Sequence, residues 1–292
     1  MPRAAFEARK ESSRRMAQTQ DRTAATVPTV EFTENFVEAD GFRIRYAEAG
    51  QGHPVVWLHG AGGLHFKNGH HLLAATHRVI GIEMPGFGES ALNERHQTSR
   101  DMSVTLAHAA AALGLDHYIL WGTSFGGRIA LWLALQTREA IDKIVLEAPI
   151  AILPEGHQPP RDSSPDDFLR RFYAHPERMT PTAPTDQALM QKQMGLVMRL
   201  LGPTSRDAEL ERRMPEIQTP TLVLIGTRDG VVSPEWGRQY MRLLPNCNFM
   251  LVYDAAHEIA SDRPEAFVET VWDFLQRGDA FVVGQRSTVI FP

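Results

Sequence analysis

From Val30 onward the chain alternates short, continuous apolar runs with segments whose apolar residues recur at helical spacing. Runs of four to six such residues mark strands buried on both faces, and a period of three to four marks a helix with one buried stripe. The runs predict strands at Val55–Leu58, Val79–Ile82, Tyr118–Trp121, Ile144–Leu146 and Thr221–Ile225, with a further one ending at Val252–Tyr253. Between them, Met102–Leu115 reads as a helix capped by Ser99, and Ile129–Gln136 as a helix following the pair Gly126–Gly127. Pro264–Leu275 reads as a third, with Pro in its first turn and Phe267, Val268, Val271, Trp272 and Leu275 on one face. Strand–helix alternation predicts an α/β fold with a mostly parallel sheet. Val30–Gly50 predicts an antiparallel hairpin at the sheet edge, turning at Ala39-Asp40-Gly41.

The alternation is interrupted once. Between Pro149 and Pro220 no strand pattern recurs, Pro is frequent, and helical faces show at Phe168, Leu169, Phe172 and Tyr173 and at Leu189, Met190, Met194, Val197, Met198 and Leu201. This predicts an inserted helical cap at 150–219, dividing a core of 30–149 from its second part at 220–292. Met190, Met194 and Met198 recur every four residues on one face. They read either as substrate-binding contacts for apolar groups or as packing of the insertion onto the core. Residues 1–29 read as a flexible arm; its Arg3, Arg9, Lys10, Arg14, Arg15 and Arg22 also suit a transit peptide, against which Glu7, Glu11 and Asp21 count. Met16 is an alternative start. The tail from Phe281 to Pro292 carries no pattern of its own.

Composition narrows the classes. In 292 residues, 43% hydrophobic and 22% charged are ordinary globular values, and no apolar run approaches the length a membrane helix needs. A net charge of -5 gives no basic surplus for nucleic acid or anionic lipid. The lone Cys247 cannot form an internal disulfide, and no Cys or His cluster has metal-ligand spacing. The expectation is a cytoplasmic protein that acts on a small molecule without metal or organic cofactor and without nucleic-acid or membrane partners.

The sharpest motif is Gly122-Thr123-Ser124-Phe125-Gly126-Gly127, a G-x-S-x-G between a strand and a helix. Such a turn holds its Ser in a strained conformation, with glycines where side chains would collide with neighbouring backbone. A Ser hydroxyl is a poor nucleophile at neutral pH and needs a general base oriented by a carboxylate. Asp229 follows the run Thr221–Ile225 and His257 follows the run ending at Tyr253, so parallel strands deliver all three to one edge of the sheet. Asp254 and Glu147, also near strand ends, are rival acids. Backbone N–H groups for an oxyanion come from Ala61, or Gly62, after Val55–Leu58, and from Phe125. His59 reads as a structural pin of that loop. Gly86, Gly88 and Ala91 match a loose dinucleotide fingerprint, but no clear helix follows them.

On His59-Gly60-Ala61-Gly62, Pro85-Gly86-Phe87-Gly88-Glu89-Ser90, the Ser124 motif, Gly226-Thr227-Arg228-Asp229 and Ala256-His257, in that order, the chain from Val30 to Gln276 resembles the α/β-hydrolase superfamily. The resemblance implies an eight-stranded, mostly parallel sheet flanked by helices, a cap inserted after the sixth strand, and Ser124, Asp229 and His257 as a catalytic triad. It is similar to small capped esterases, lactonases, carbon–carbon bond hydrolases and cofactor-free haloperoxidases. The carbon–carbon group typically has Asn at the place of Thr123 and a Trp soon after the catalytic His, where Glu258, Ile259 and Ala260 stand here. The expectation is therefore a serine hydrolase of esters or lactones. Carbon–carbon cleavage of vinylogous diketones, with Arg170, Arg171 or Arg199 as carboxylate clamp, a cofactor-free haloperoxidase-like activity, and a non-hydrolytic receptor on the same fold are the alternatives.

Overall fold

The computed structural model describes residues 29–152, 164–180, 186–202, 206–277 and 289–290. All but the last residue of the arm expected over 1–29, most of the tail and parts of 150–219 lie outside the described residues. The hairpin forms from β1 (Thr33–Ala39) and β2 (Phe42–Ala49) and turns where both Asp40 and Gly41 take positive φ, +53° and +81°. Its partner at the sheet is β4 (Arg78–Ile82), which β2 meets antiparallel. The remaining strands are β3 (Pro54–Leu58), β5 (Tyr118–Thr123), β6 (Ile141–Glu147), β7 (Thr221–Gly226) and β8 (Cys247–Val252). The sheet runs β1-β2-β4-β3-β5-β6-β7-β8-β9, parallel from β4 to β8. Its ninth member, β9 (Val289–Ile290), adds antiparallel to β8 at the far edge, one strand more than the expected eight.

Apolar residues on both faces of these strands build two cores, one on each side of the sheet. Helices α2 (Ser99–Ala112), α3 (Phe125–Gln136) and α7 (Pro234–Leu243) cover one face, and α1 (Asn68–Leu73), α8 (Ile259–Asp262) and α9 (Pro264–Arg277) the other.

Three expected helix features are corrected. The cap of α2 is Thr98, whose hydroxyl takes the Asp101 N–H while the Asp101 carboxylate takes its N–H at 2.8 Å; this reciprocal box starts the helix at Ser99. Helix α3 begins at Phe125, because the turn at Ser124 passes straight from strand to helix and the glycine pair lies inside the first turn. On α9 Trp272 is 46% exposed and Phe274 is buried in its stead, since Trp272 is rotated about 140° from Phe267 at 100° per residue.

Between β6 and β7 the described residues hold α4 (Pro165–Phe172), α5 (Gln187–Leu201) and α6 (Ala208–Arg213), with single 3-10 turns at Pro176–Arg178 and Met214–Glu216. Helix α5 buries Gln193, Leu196, Val197 and Leu200. Met190, Met194 and Met198 stand beside that face, 46–55% exposed, and Leu196, Val197 and Leu200 take the contact with the core.

Candidate active site

The turn between β5 and α3 puts Ser124 at φ +54°, ψ -118°, a conformation L-residues rarely adopt and one that costs of order 1–3 kcal/mol. Three backbone bonds hold it: Ser124 N–H to Glu147 C=O at 2.9 Å, and Gly127 and Ile150 N–H to Ser124 C=O at 3.0 and 2.9 Å. The flanking glycines are required by close approach. A Cβ on Gly126 would lie 2.1 Å from the Leu58 carbonyl oxygen, and one on Gly122 would lie 2.7 Å from that of Gly126.

The three sequence-selected side chains meet. His257 Nε2 lies 2.8 Å from Ser124 Oγ, and its Nδ1 lies 3.1 and 3.2 Å from the two oxygens of Asp229. The carboxylate requires the ring proton on Nδ1, which leaves the Nε2 lone pair to accept the Ser124 hydroxyl. Both side chains of the His257–Asp229 pair are at most 1% exposed. Asp229 Oδ1 also accepts the N–H groups of Val231 and Val232, each at 2.8 Å, which fixes the carboxylate in its own loop.

The rival acids are engaged elsewhere. Glu147 is buried and accepts Ala260 N–H (2.7 Å), Thr123 Oγ1–H (2.8 Å) and Trp121 Nε1–H (3.2 Å). Asp254 binds His175 Nε2 at 2.8 Å and Arg228 at 2.9 Å. Thr123 also accepts the indole N–H of Trp57, so its hydroxyl serves the core.

After β3, Gly63 N–H closes a turn on Gly60 C=O at 3.3 Å, a pattern that leaves the N–H groups of Ala61 and Gly62 outside the turn bond. This loop abuts the serine: a Cβ on Gly60 would be 3.2 Å from Ser124 Cβ. Phe125 N–H, first of α3, has no partner within its helix. His59 is the pin: Nδ1 donates to Gly60 C=O at 2.7 Å, and Nε2 accepts Met84 N–H at 3.0 Å. Burial, opposed by the Gly60 bond, pushes its pKa down to about 3, so it is neutral. Gly86 and Gly88 shape a turn rather than a cofactor cradle. The Glu83 carboxylate fills its inside by accepting the N–H groups of Glu89 and Ser90, and a Cβ on Gly88 would meet Glu83 Oε1 at 2.0 Å.

Four further residues border the site without a sequence signal for that place. Phe172, at the end of α4, sets its ring edge-on to the His257 imidazole, 5.3 Å between centroids at 90°. Lys67 pairs with Glu258, next to His257, and burial lowers its pKa to about 8 against the pull of Glu147 and Asp262. Asp262 lies buried behind the His257 loop. The Met stripe is not brought into the hydrogen-bonded line. Of the insertion's arginines, Arg171 packs on Gly230, the residue after Asp229, while Arg170 and Arg199 are exposed.

Known proteins resemble this chain in sequence and in fold. A family model described as the alpha/beta hydrolase family matches residues 55–270. The 2-hydroxy-6-oxo-6-(2'-aminophenyl)hexa-2,4-dienoic acid hydrolase of Metapseudomonas resinovorans is 27% identical over 269 residues, covering 84% of this chain and 92% of the relative. A pimeloyl-[acyl-carrier protein] methyl ester esterase of Photobacterium profundum is 28% identical over 257 residues, 78% and 96% of the two chains. In fold, an esterase from Exiguobacterium antarcticum superposes with a TM-score of 0.65 at 21% identity, over 84% of this chain and all of the other. Among the described residues no helix is long and apolar enough to cross a membrane.

Proposed function

Since the chain belongs to the alpha/beta hydrolase family, whose model spans most of it, we propose that it cleaves a small-molecule carboxylic ester or lactone through an acyl-enzyme on Ser124. The observation that carries this reading is the unbroken line Ser124 Oγ, His257 Nε2, His257 Nδ1, Asp229. His257 takes the hydroxyl proton as Ser124 attacks the carbonyl, and Asp229 holds the tautomer and stabilises the imidazolium. The N–H groups of Phe125 and Ala61, or Gly62, receive the oxyanion. Collapse expels the alkoxide, which takes the proton from His257; water, deprotonated by the same imidazole, then releases the acid. In this reading the described helices between β6 and β7 belong to the cap of this centre, and Met190, Met194 and Met198 contact the acyl chain.

Carbon–carbon cleavage is the second reading, favoured by the dienoic acid hydrolase relative and by Arg171 beside the Asp229 loop. The commitment of Thr123 to Trp57 and Glu147 weighs against it, because its one hydroxyl donor is already given to Glu147 and that position offers no donor to a dienol. Turnover of aryl esters, lactones and vinylogous diketones by the purified protein tests the assignment. Esters or lactones should give the higher kcat/KM, with acylated Ser124 trapped on rapid quenching. A diketone kcat/KM far above every ester, lost in Arg171→Ala, makes carbon–carbon cleavage the function.

A further inference from the structure

Asp262 belongs to no part of the proposed reaction, yet it is joined to it. Its side chain is fully buried, and its carboxylate accepts three backbone N–H groups: Ala256 (2.8 Å) and Ala174 (2.9 Å) on Oδ2, and His175 (2.9 Å) on Oδ1. Its carbonyl oxygen accepts the Arg178 guanidinium at 2.7 Å. Ala256 immediately precedes His257, whereas Ala174, His175 and Arg178 lie in the segment between β6 and β7. Hydrogen bonds from backbone N–H to a buried carboxylate are charge-assisted and directional, so Asp262 fixes these two stretches of backbone against each other.

The same segment holds both loops of the acid–base pair. Arg171 C=O accepts Gly230 N–H at 3.2 Å beside Asp229, and Phe172 C=O accepts Glu258 N–H at 3.0 Å beside His257. His175 Nε2 lies 2.8 Å from Asp254, and the Phe172 ring rests on the imidazole.

We propose that Asp262 is a positioning residue: it locks residues 171–175 and the His257 loop into one body, so that the imidazole meets Ser124 and Asp229 together. The proposal rests on the reading of Ser124, His257 and Asp229 as the reacting set. The imidazole has to satisfy two partners on opposite sides of one ring, and the Ala256 backbone sets where that side chain is rooted. A misplacement of about 1 Å at such a centre costs on the order of 100-fold in rate.

Two variants test it from opposite sides. Asp262→Asn keeps the shape but replaces an acceptor oxygen with an NH2 group, which then faces backbone N–H. Ala174→Pro deletes one N–H on the inserted side alone; Tyr173 before it is already extended, at φ -127° and ψ 124°, as a residue preceding proline must be. The measurements are the second-order rate of Ser124 labelling by a small alkyl fluorophosphonate, per folded molecule and below Tm, and the low-field NMR resonance of the His257 Nδ1 proton. Asp262→Asn should label roughly 10- to 100-fold more slowly and Ala174→Pro about 5-fold or more, each with the resonance shifted or broadened. Labelling within about twofold of wild type and an unmoved resonance in the folded variants reduce Asp262 to a structural carboxylate and overturn the proposal. If Asp262→Asn does not fold, Ala174→Pro decides alone. A wild-type protein not labelled at Ser124 overturns the catalytic reading itself, whereas a labelled wild type with indifferent variants overturns only the role of Asp262.

Discussion

Asp229 Oδ1 serves two backbone N–H groups of its own loop while the carboxylate faces His257, so its orientation is set before any substrate arrives. Asp229→Asn keeps the size but puts the wrong tautomer on His257, and kcat should fall by about 10³ to 10⁴. Asp254→Asn should leave kcat within a few-fold, because that carboxylate holds His175 and Arg228. Glu147→Gln should lower stability by about 1–3 kcal/mol, since a buried acceptor of three donors is impaired, with a far smaller loss of kcat than Asp229→Asn. Steady-state kinetics and melting curves on the three variants separate these outcomes. If Ser124 and His257 act as a unit, Ser124→Ala, His257→Ala and the double variant should be almost equally inactive.

At the level of elements, the turn into α3 is constrained by backbone and helix α5 by side chains. Gly126→Ala would press a methyl group against two carbonyl oxygens that belong to β3 and its loop, and neither can move without opening the sheet. Its unfolding free energy should drop by about 3 kcal/mol, read from urea titration. Along α5 the burial is one-sided. Leu196→Ala should cost about 2–4 kcal/mol, whereas Met194→Ala, at a half-exposed position, should cost less than about 0.5 kcal/mol. If the stripe contacts the acyl chain, Met194→Ala changes the ratio of kcat/KM for short and long acyl esters with Tm preserved. An unchanged ratio removes the methionines from the binding surface.

For the whole molecule, buried histidines link stability to pH. Burial lowers His59 to about 3 and His70 well below its usual value, and both side chains are fully buried. The unfolded chain protonates each near 6.5 while the folded protein does not, so their contribution is fully present above pH 6.5 and is lost as pH falls. His59 alone accounts for up to about 5 kcal/mol of loss between pH 6.5 and 3, a slope of about 1.4 kcal/mol per unit. Urea unfolding at pH 7, 6 and 5 should show stability falling with pH more steeply than that single-proton slope below pH 6.5, since His70 adds its own share, and His59→Gln should flatten the fall by about one proton; an equal slope in the variant would mean that His59 also protonates in the folded protein. The strands were legible in sequence because a strand covered on both faces must be apolar throughout, and the loops of Ser124, Asp229 and His257 were legible because each follows such a run. The preference for Asp229 over Asp254 and Glu147 came from the resemblance and the residue order, and the runs themselves gave no physical reason for it. That reason lies in the pairing of Gly226 with Val252 between β7 and β8, which sets Asp229 and His257 side by side while Glu147 turns toward Trp121 and Ala260. The ring of Phe172 on His257 and the grip of Asp262 on Ala174, His175 and Ala256 left no trace in the sequence. Those bonds are made to backbone N–H groups, which every residue but proline carries, so only the packing of distant segments decides which of them a buried carboxylate meets.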